Sequence, residues 1–232
     1  MISLSGVSIF LSACASSSTS PGTTANVTAT TDMENETISS VKGKPSSPAS
    51  GPTVKSLTIS RVRVLISGLH LHVSDDAAAG TGNFENQPFI VDFKPTVTNT
   101  IATIAVPFGT YTQMIFDLHQ LDNTADAALI TNASFVDFAM LDKPTIIVEG
   151  MFTDNAGATK SFLYRTSMVR NLKPLILPTA ILLAEHRYTL DLRFDGKIAF
   201  ASLSGKPLDP LDQSNRTDLD DQIAKAFKAL QK

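Results

Sequence analysis

The residues of this chain whose types and spacing suit metal chemistry are a few histidines and one acidic run. His70 and His72 stand two apart, so on a β-strand their imidazoles leave the same face about 7 Å apart and can share a copper or zinc ion. His119 and His186 lie elsewhere in the chain, and the spacing identifies no third ligand. The second constellation is Asp209-x-x-Asp212-x-x-Asn215-x-x-Asp218, with Asp220 and Asp221 close behind. Carboxylate and amide oxygens are the donors a hard cation such as calcium takes. The spacing is not that of an EF-hand, which needs alternate-residue ligands and a central glycine. A turn that leads into a helix explains the same residues without a metal, because Asp and Asn cap helix starts and complement their dipole. Catalytic signatures do not occur: there is no G-x-S-x-G, P-loop, dinucleotide fingerprint or H-E-x-x-H. Glu149 and Asp191 are carboxylates of the kind used in acid–base work, but nothing in the sequence brings them together. The reading is therefore non-enzymatic, with no catalytic residue and no cofactor. The alternatives are calcium at Asp209, Asp212 and Asn215, copper or zinc at His70 and His72, and an uncharacterised hydrolase.

The elements that must position these residues are strands. Leu57 and Ile59 share one face, while Val62, Val64 and Ile66 continue on the opposite parity, which predicts a β-bulge near Ser60-Arg61. Leu69, Leu71 and Val73 then point one way and His70 and His72 the other. Clean alternation also marks Phe89-Val91-Phe93, Thr112-Met114-Phe116-Leu118 and Tyr188-Leu190-Leu192-Phe194. Further strands are predicted over 101–106, 145–152, 160–166 and 197–201. Turn chemistry separates them at Asp154-Asn155-Ala156-Gly157, Asp195-Gly196 and Pro107-Phe108-Gly109. About eight to ten strands with short connections predict an all-β fold, an antiparallel β-sandwich. One C-terminal amphipathic helix is predicted over 217–230, opened by Thr217-x-x-Asp220 as a capping box and striped by Leu219, Ile223, Phe227 and Leu230.

Composition sets the organisation. The chain has 232 residues, a net charge of −3 and 43% hydrophobic residues, enough for one folded domain with extras. A weakly acidic balance argues against a protein that grips nucleic acid through phosphates. Cys14 is the only cysteine, so an intrachain disulfide and a multi-cysteine zinc site are both excluded. Residues 1–13 read as a signal peptide, an uncharged apolar run too short to span a bilayer. Residues 14–53 are dominated by Ser, Thr, Pro and Gly and read as a disordered tether, because such a segment buries too little to offset chain entropy. The domain is expected over 54–232.

Leu11-Ser12-Ala13-Cys14 resembles the lipobox of bacterial lipoproteins. The resemblance implies diacylglyceryl transfer to the Cys14 thiol, cleavage before it and acylation of the new N-terminus. With Ala15 next, it implies an outer-membrane, lipid-anchored protein facing the periplasm or the exterior. Several acyl chains together anchor stably where one does not. Ala105-Val106-Pro107-Phe108-Gly109-Thr110-Tyr111 resembles a segment of bacterial surface β-sandwiches of the transthyretin-like or carboxypeptidase-regulatory-like kind, whose function is unknown, and the tail from Leu208 resembles the end of uncharacterised bacterial lipoproteins. The resemblance supports fold and location, not a mechanism. Expected partners are the membrane, through the anchor, and envelope or surface proteins. With no Trp and three Tyr, a sugar-stacking platform is poorly stocked.

Overall fold

The computed structural model describes residues 24–34, 37–39, 54–73, 82–107, 109–182, 187–203 and 205–232. Cys14 and His186 lie outside them, as do all of the expected signal peptide and much of the expected tether. In chain order the strands are β1 Thr24–Met33, β2 Thr37–Ser39, β3 Val54–Val73, β4 Gly82–Phe93, β5 Thr100–Pro107, β6 Gly109–Leu118, β7 Ile146–Asp154, β8 Thr159–Thr166, β9 Asn171–Leu172, β10 Leu175–Leu182, β11 Arg187–Phe194 and β12 Phe227–Gln231. Among the described residues three short α-helices accompany them: α1 Ala127–Ile130, α2 Gly196–Ala199 and α3 Arg216–Lys225.

The fold is all-β and its sheet is mixed. Along the sheet the order is β5-β1-β11-β12-β10-β6-β3-β7-β8, with β2 and β4 on β3 and β9 on β6. The 20-residue β3 is the organiser. It takes β2 and then β4 along one edge, and β7 and then β6 along the other. The expected bulge is present: the β3–β7 register shifts between Ile59 and Arg61. Leu57 and Ile59 before it, and Val62, Val64 and Ile66 after it, are all buried in one core. The predicted β7–β8 turn is also present, with Gly157 at φ 87° and its N–H on the Asp154 carbonyl.

Across the interior, Phe93 of β4 meets Phe194 of β11 and Phe227 of β12 at ring-centroid separations of 6.3 and 5.8 Å. Segment 119–145 covers part of the other face of β3 and β7. There Leu121, Phe135 and Phe138 enclose Leu65 and Ile147 in a second, smaller core. The Val-Pro-Phe-Gly-Thr-Tyr segment serves the fold: Tyr111 is fully buried and its hydroxyl donates to the Pro107 carbonyl at 2.8 Å.

Five expectations are corrected. Pairing is not wholly antiparallel, because β1 runs parallel to β11 and β10 parallel to β12. The tether reading fails for Thr24–Met33 and Thr37–Ser39. β1 pairs on both sides, with β11 and β5, and buries Ala25, Val27 and Ala29 on one face. Small alternating residues among threonines give little apolar signal but fit between two flanking strands. The strand expected over 197–201 is instead mostly α2, because the Asp195 carboxylate accepts from the Ile198 N–H and caps a helical turn.

The C-terminal helix stops at Lys225, short of 230. Phe227–Gln231 is the strand β12, seated between β11 and β10, and two ladders outweigh the local helical pattern. Thr217-x-x-Asp220 is not a capping box either: Asn215 is the N-cap, without a side-chain cap bond. Asp220 Oδ1 instead accepts from the Tyr164 hydroxyl at 2.7 Å. No helix among the described residues is long and apolar enough to cross a membrane.

Candidate functional site

The bulge at Ser60 sets the parity of the next stretch of β3, sending Val62 and Val64 inward and Arg61 and Arg63 to the opposite face. On that face the arginines meet carboxylates from three other segments. Arg61 donates twice to Asp92 of β4, at 2.8 and 2.9 Å, and Lys94 closes on the same carboxylate at 3.2 Å. Burial works against the Asp92 anion, but the hydrogen bonds from Arg61 and Lys94 hold its pKa below the usual carboxylate value.

Arg63 is buried, with 8% of its surface exposed. One terminal nitrogen donates to Asp137 Oδ2 at 2.7 Å and the other to Glu149 Oε1 at 2.8 Å. Its guanidinium also lies 5.8 Å from the Phe138 ring. Asp137 and Phe138 belong to segment 119–145, so Arg63 fastens that segment to the sheet. Nε of Arg63 is buried without a hydrogen-bond partner among the described residues.

Arg63, Asp137 and Glu149 line an open cleft of about 600 Å3, together with Ser60, Ser161, Met151 and Leu163. The Ser60 hydroxyl donates to the Glu149 carbonyl at 3.1 Å, tying the bulge to β7. Asp137 and Glu149 each give one oxygen to Arg63, which leaves a second oxygen on each partly exposed carboxylate. Met151 and Leu163 are 51% and 43% exposed and give the cleft an apolar rim. The arrangement is a fixed pair of half-used carboxylates beside an apolar rim. It suits recognition of a cationic group on an apolar stem.

The residues singled out from the sequence fall elsewhere. His70 and His72 lie on β3, and Nε2 of His70 sits 2.5 Å from Asp117 Oδ2 on β6. Gly68 makes room for this pair, since a Cβ there would stand 2.7 Å from both atoms. His119 has a carboxylate of its own, Asp126 Oδ2 at 2.7 Å. Asp209 and Asp212 accept from the Leu211 and Ser214 N–H groups, both at 2.9 Å, and Asn215 donates to the Asp209 carbonyl at 3.1 Å. These three therefore meet as a hydrogen-bonded turn, with both carboxylates engaged by amides. Bonds from Ser214 also hold the Asp212 pKa below its usual value. Among the described residues no three His, Cys, Asp or Glu gather as a metal group.

Glu149 and Asp191 are not brought together. Glu149 serves Arg63, whereas Asp191 is fully buried against the Thr30 hydroxyl and the Lys232 ammonium. The sequence alone does not single out Arg63 or Asp137. The available signal is an arginine on the outward parity between Val62 and Val64, both of which point into the core. Comparisons with models of protein families, with curated proteins and with solved structures find no match for the chain.

Proposed function

We propose that the chain is a lipid-anchored bacterial envelope protein, attached to the outer membrane through Cys14, with a non-enzymatic binding role. The Leu-Ser-Ala-Cys sequence supports the anchor. The binding domain is a β-sandwich, a reading supported by the contacts of Phe93 with Phe194 and Phe227 across the interior. The observation that carries the binding role is the cleft at Arg63, where Asp137 and Glu149 each keep an oxygen available beside exposed Met151 and Leu163. Its partner is an envelope or surface protein that presents a basic side chain. The buried guanidinium fixes both carboxylates in place, so binding does not have to order them.

A labelled tri-lysine peptide titrated into the full chain tests this, with a tri-glutamate peptide as comparison. Tri-lysine should bind and tri-glutamate should not, and Glu149→Gln should weaken tri-lysine about tenfold, as expected for loss of a charge-assisted hydrogen bond. Equal binding of both peptides, or a Glu149→Gln variant that binds as the parent does, would overturn the assignment.

A further inference from the structure

We propose that the outer edge of β8 takes an extended segment of a partner protein as an added strand, with a basic residue of that segment paired to Leu163, a mode of binding that rests on the reading of the Arg63 cleft above. β8 is the last strand in the sheet order and pairs with β7 alone among the described residues. Two hydrogen bonds fix which of its residues turn their backbone outward. Ser60 of β3 donates to the Glu149 carbonyl, so the backbone of Glu149 faces β3 and that of Val148 and Gly150 faces β8. In the ladder Val148 and Gly150 stand opposite Tyr164 and Phe162, whose backbone therefore faces β7. Alternation turns Leu163 and Ser161 the other way. The Arg165 carbonyl, of the same parity, accepts from Arg216 Nη2 at 2.9 Å, outside the sheet.

The open stretch is 159–163. Past it, Arg216 occupies the Arg165 carbonyl, and Leu211 and Asp212 stand beside the strand. Within it Thr159, Lys160, Ser161 and Leu163 are exposed and Phe162 is buried. Among the described residues, the outward N–H and C=O groups of Ser161 and Leu163 have no hydrogen-bond partner. Lysine often guards a sheet edge. Lys160, however, lies on the parity of Phe162 and turns to Asp154 at 3.7 Å, so it does not cover those groups. An edge of this kind offers main-chain hydrogen bonds to one more strand, and the side chains beside it set the choice of partner.

That choice is basic. Leu163 stands directly opposite Glu149 in the ladder, and the two side chains share the outer face with Arg63. A residue paired with Leu163 on an added strand lies two strand spacings, about 10 Å, from Glu149. A long basic side chain laid over Leu163 carries its charge across most of that gap, toward the Glu149 and Asp137 oxygens that Arg63 leaves unused. Leu163 also lines a second pocket, beside Arg165. Across the two linings Asp137, Glu149, Asp142 and Asp212 outnumber Arg63, Arg165 and Arg216. A second copy of β8 lacks the charge that this face calls for. Its outward residues in the open stretch are Thr159, Ser161 and Leu163, none of them basic, and Arg165 is closed off by Arg216.

The probe is the pentapeptide acetyl-Arg-Thr-Val-Thr-Val-amide, which on adding antiparallel to β8 pairs its Arg with Leu163 and its first Val with Ser161. Titrated into the full chain, it should bind with a Kd of about 1 mM or tighter and slow amide hydrogen exchange at Ser161 and Leu163. N-methylation of the first Val removes its hydrogen bond to the Ser161 carbonyl and should weaken binding about fivefold. N-methylation of the first Thr, whose N–H faces away from β8, should leave binding unchanged. Three results would overturn strand addition while the cleft reading stands: binding without slowed exchange at Ser161 and Leu163, a methylated Thr as damaging as a methylated Val, or no binding to a chain that takes tri-lysine. A chain that takes neither peptide would overturn both. Slowed exchange at the same amides in the chain alone, growing with its concentration, would assign the edge to a second copy and overturn the basic partner.

Discussion

Replacing Lys232 with Met is expected to lower the free energy of unfolding by about 2 kcal/mol. Asp191 is fully buried on β11, in register with Thr30 of β1 and Leu230 of β12. Its Oδ1 accepts from the Thr30 hydroxyl. Its Oδ2 has no directed hydrogen bond and is balanced by the charge of the Lys232 ammonium. The Lys232 side chain is 58% exposed, but Asp191 is fully buried, so removing the ammonium leaves a buried anion without its charge partner. Met keeps the stem of the lysine, and the Lys232 backbone bond to the Thr189 carbonyl at 3.0 Å remains, so the change isolates the charge. Denaturant unfolding measures it. The Asp191→Asn background should abolish most of the cost, because no buried anion then needs a partner. An unchanged midpoint for Lys232→Met, or the same loss in the Asp191→Asn background, would show that the pairing does not stabilise the fold.

A single methyl group at Gly150 should cost somewhat more, roughly 3 kcal/mol, through overpacking. Gly150 sits on β7 between Ile59 and Phe162 in the ladder. A Cβ there would stand 2.4 Å from the Thr58 carbonyl and 2.6 Å from the Phe162 ring. The first neighbour is main chain in a long central strand and has little freedom to move. The second is a buried ring packed on Phe200 at 5.5 Å between centroids. Gly150→Ala must therefore displace β7 from β3 or push Phe162 into the core. Gly150 also lines the Arg63 cleft, so displacement should weaken tri-lysine binding along with stability. A Gly150→Ala protein with the parent's unfolding midpoint would mean that the β3–β7 ladder is looser than the structure indicates.

How much of the fold was legible in the sequence depends on the range over which each feature is set. The bulge at Ser60 could be read because it inverts parity within ten residues of one strand. The β7–β8 turn could be read because Asp154 and Gly157 carry their own turn chemistry. β1 was missed because Thr-Ala-Asn-Val-Thr-Ala-Thr-Thr has the composition of a linker, and its stability comes from β11 and β5, far away in sequence. β12 was missed because Leu219, Ile223, Phe227 and Leu230 keep helical spacing past the point where two ladders take over. The site was less legible than the fold. Arg63 lies 74 residues from Asp137 and 86 from Glu149, and no local window joins them. His70 and Asp209 drew attention through spacing alone. The structure gives them a carboxylate partner and an amide partner that spacing does not reveal.

Attachment of the chain to a bacterial membrane through Cys14 is the centre of the proposed function. Mass spectrometry of the N-terminal peptide, after expression with its native upstream sequence in a bacterium competent for lipoprotein processing, tests it directly. The expected product is a chain that begins at Cys14 with acyl groups on its thiol and its new amine. Cys14→Ser should remove the acylation and release the protein from the membrane fraction. An unmodified Cys14 in the wild-type chain, or cleavage at another bond, would contradict the attachment.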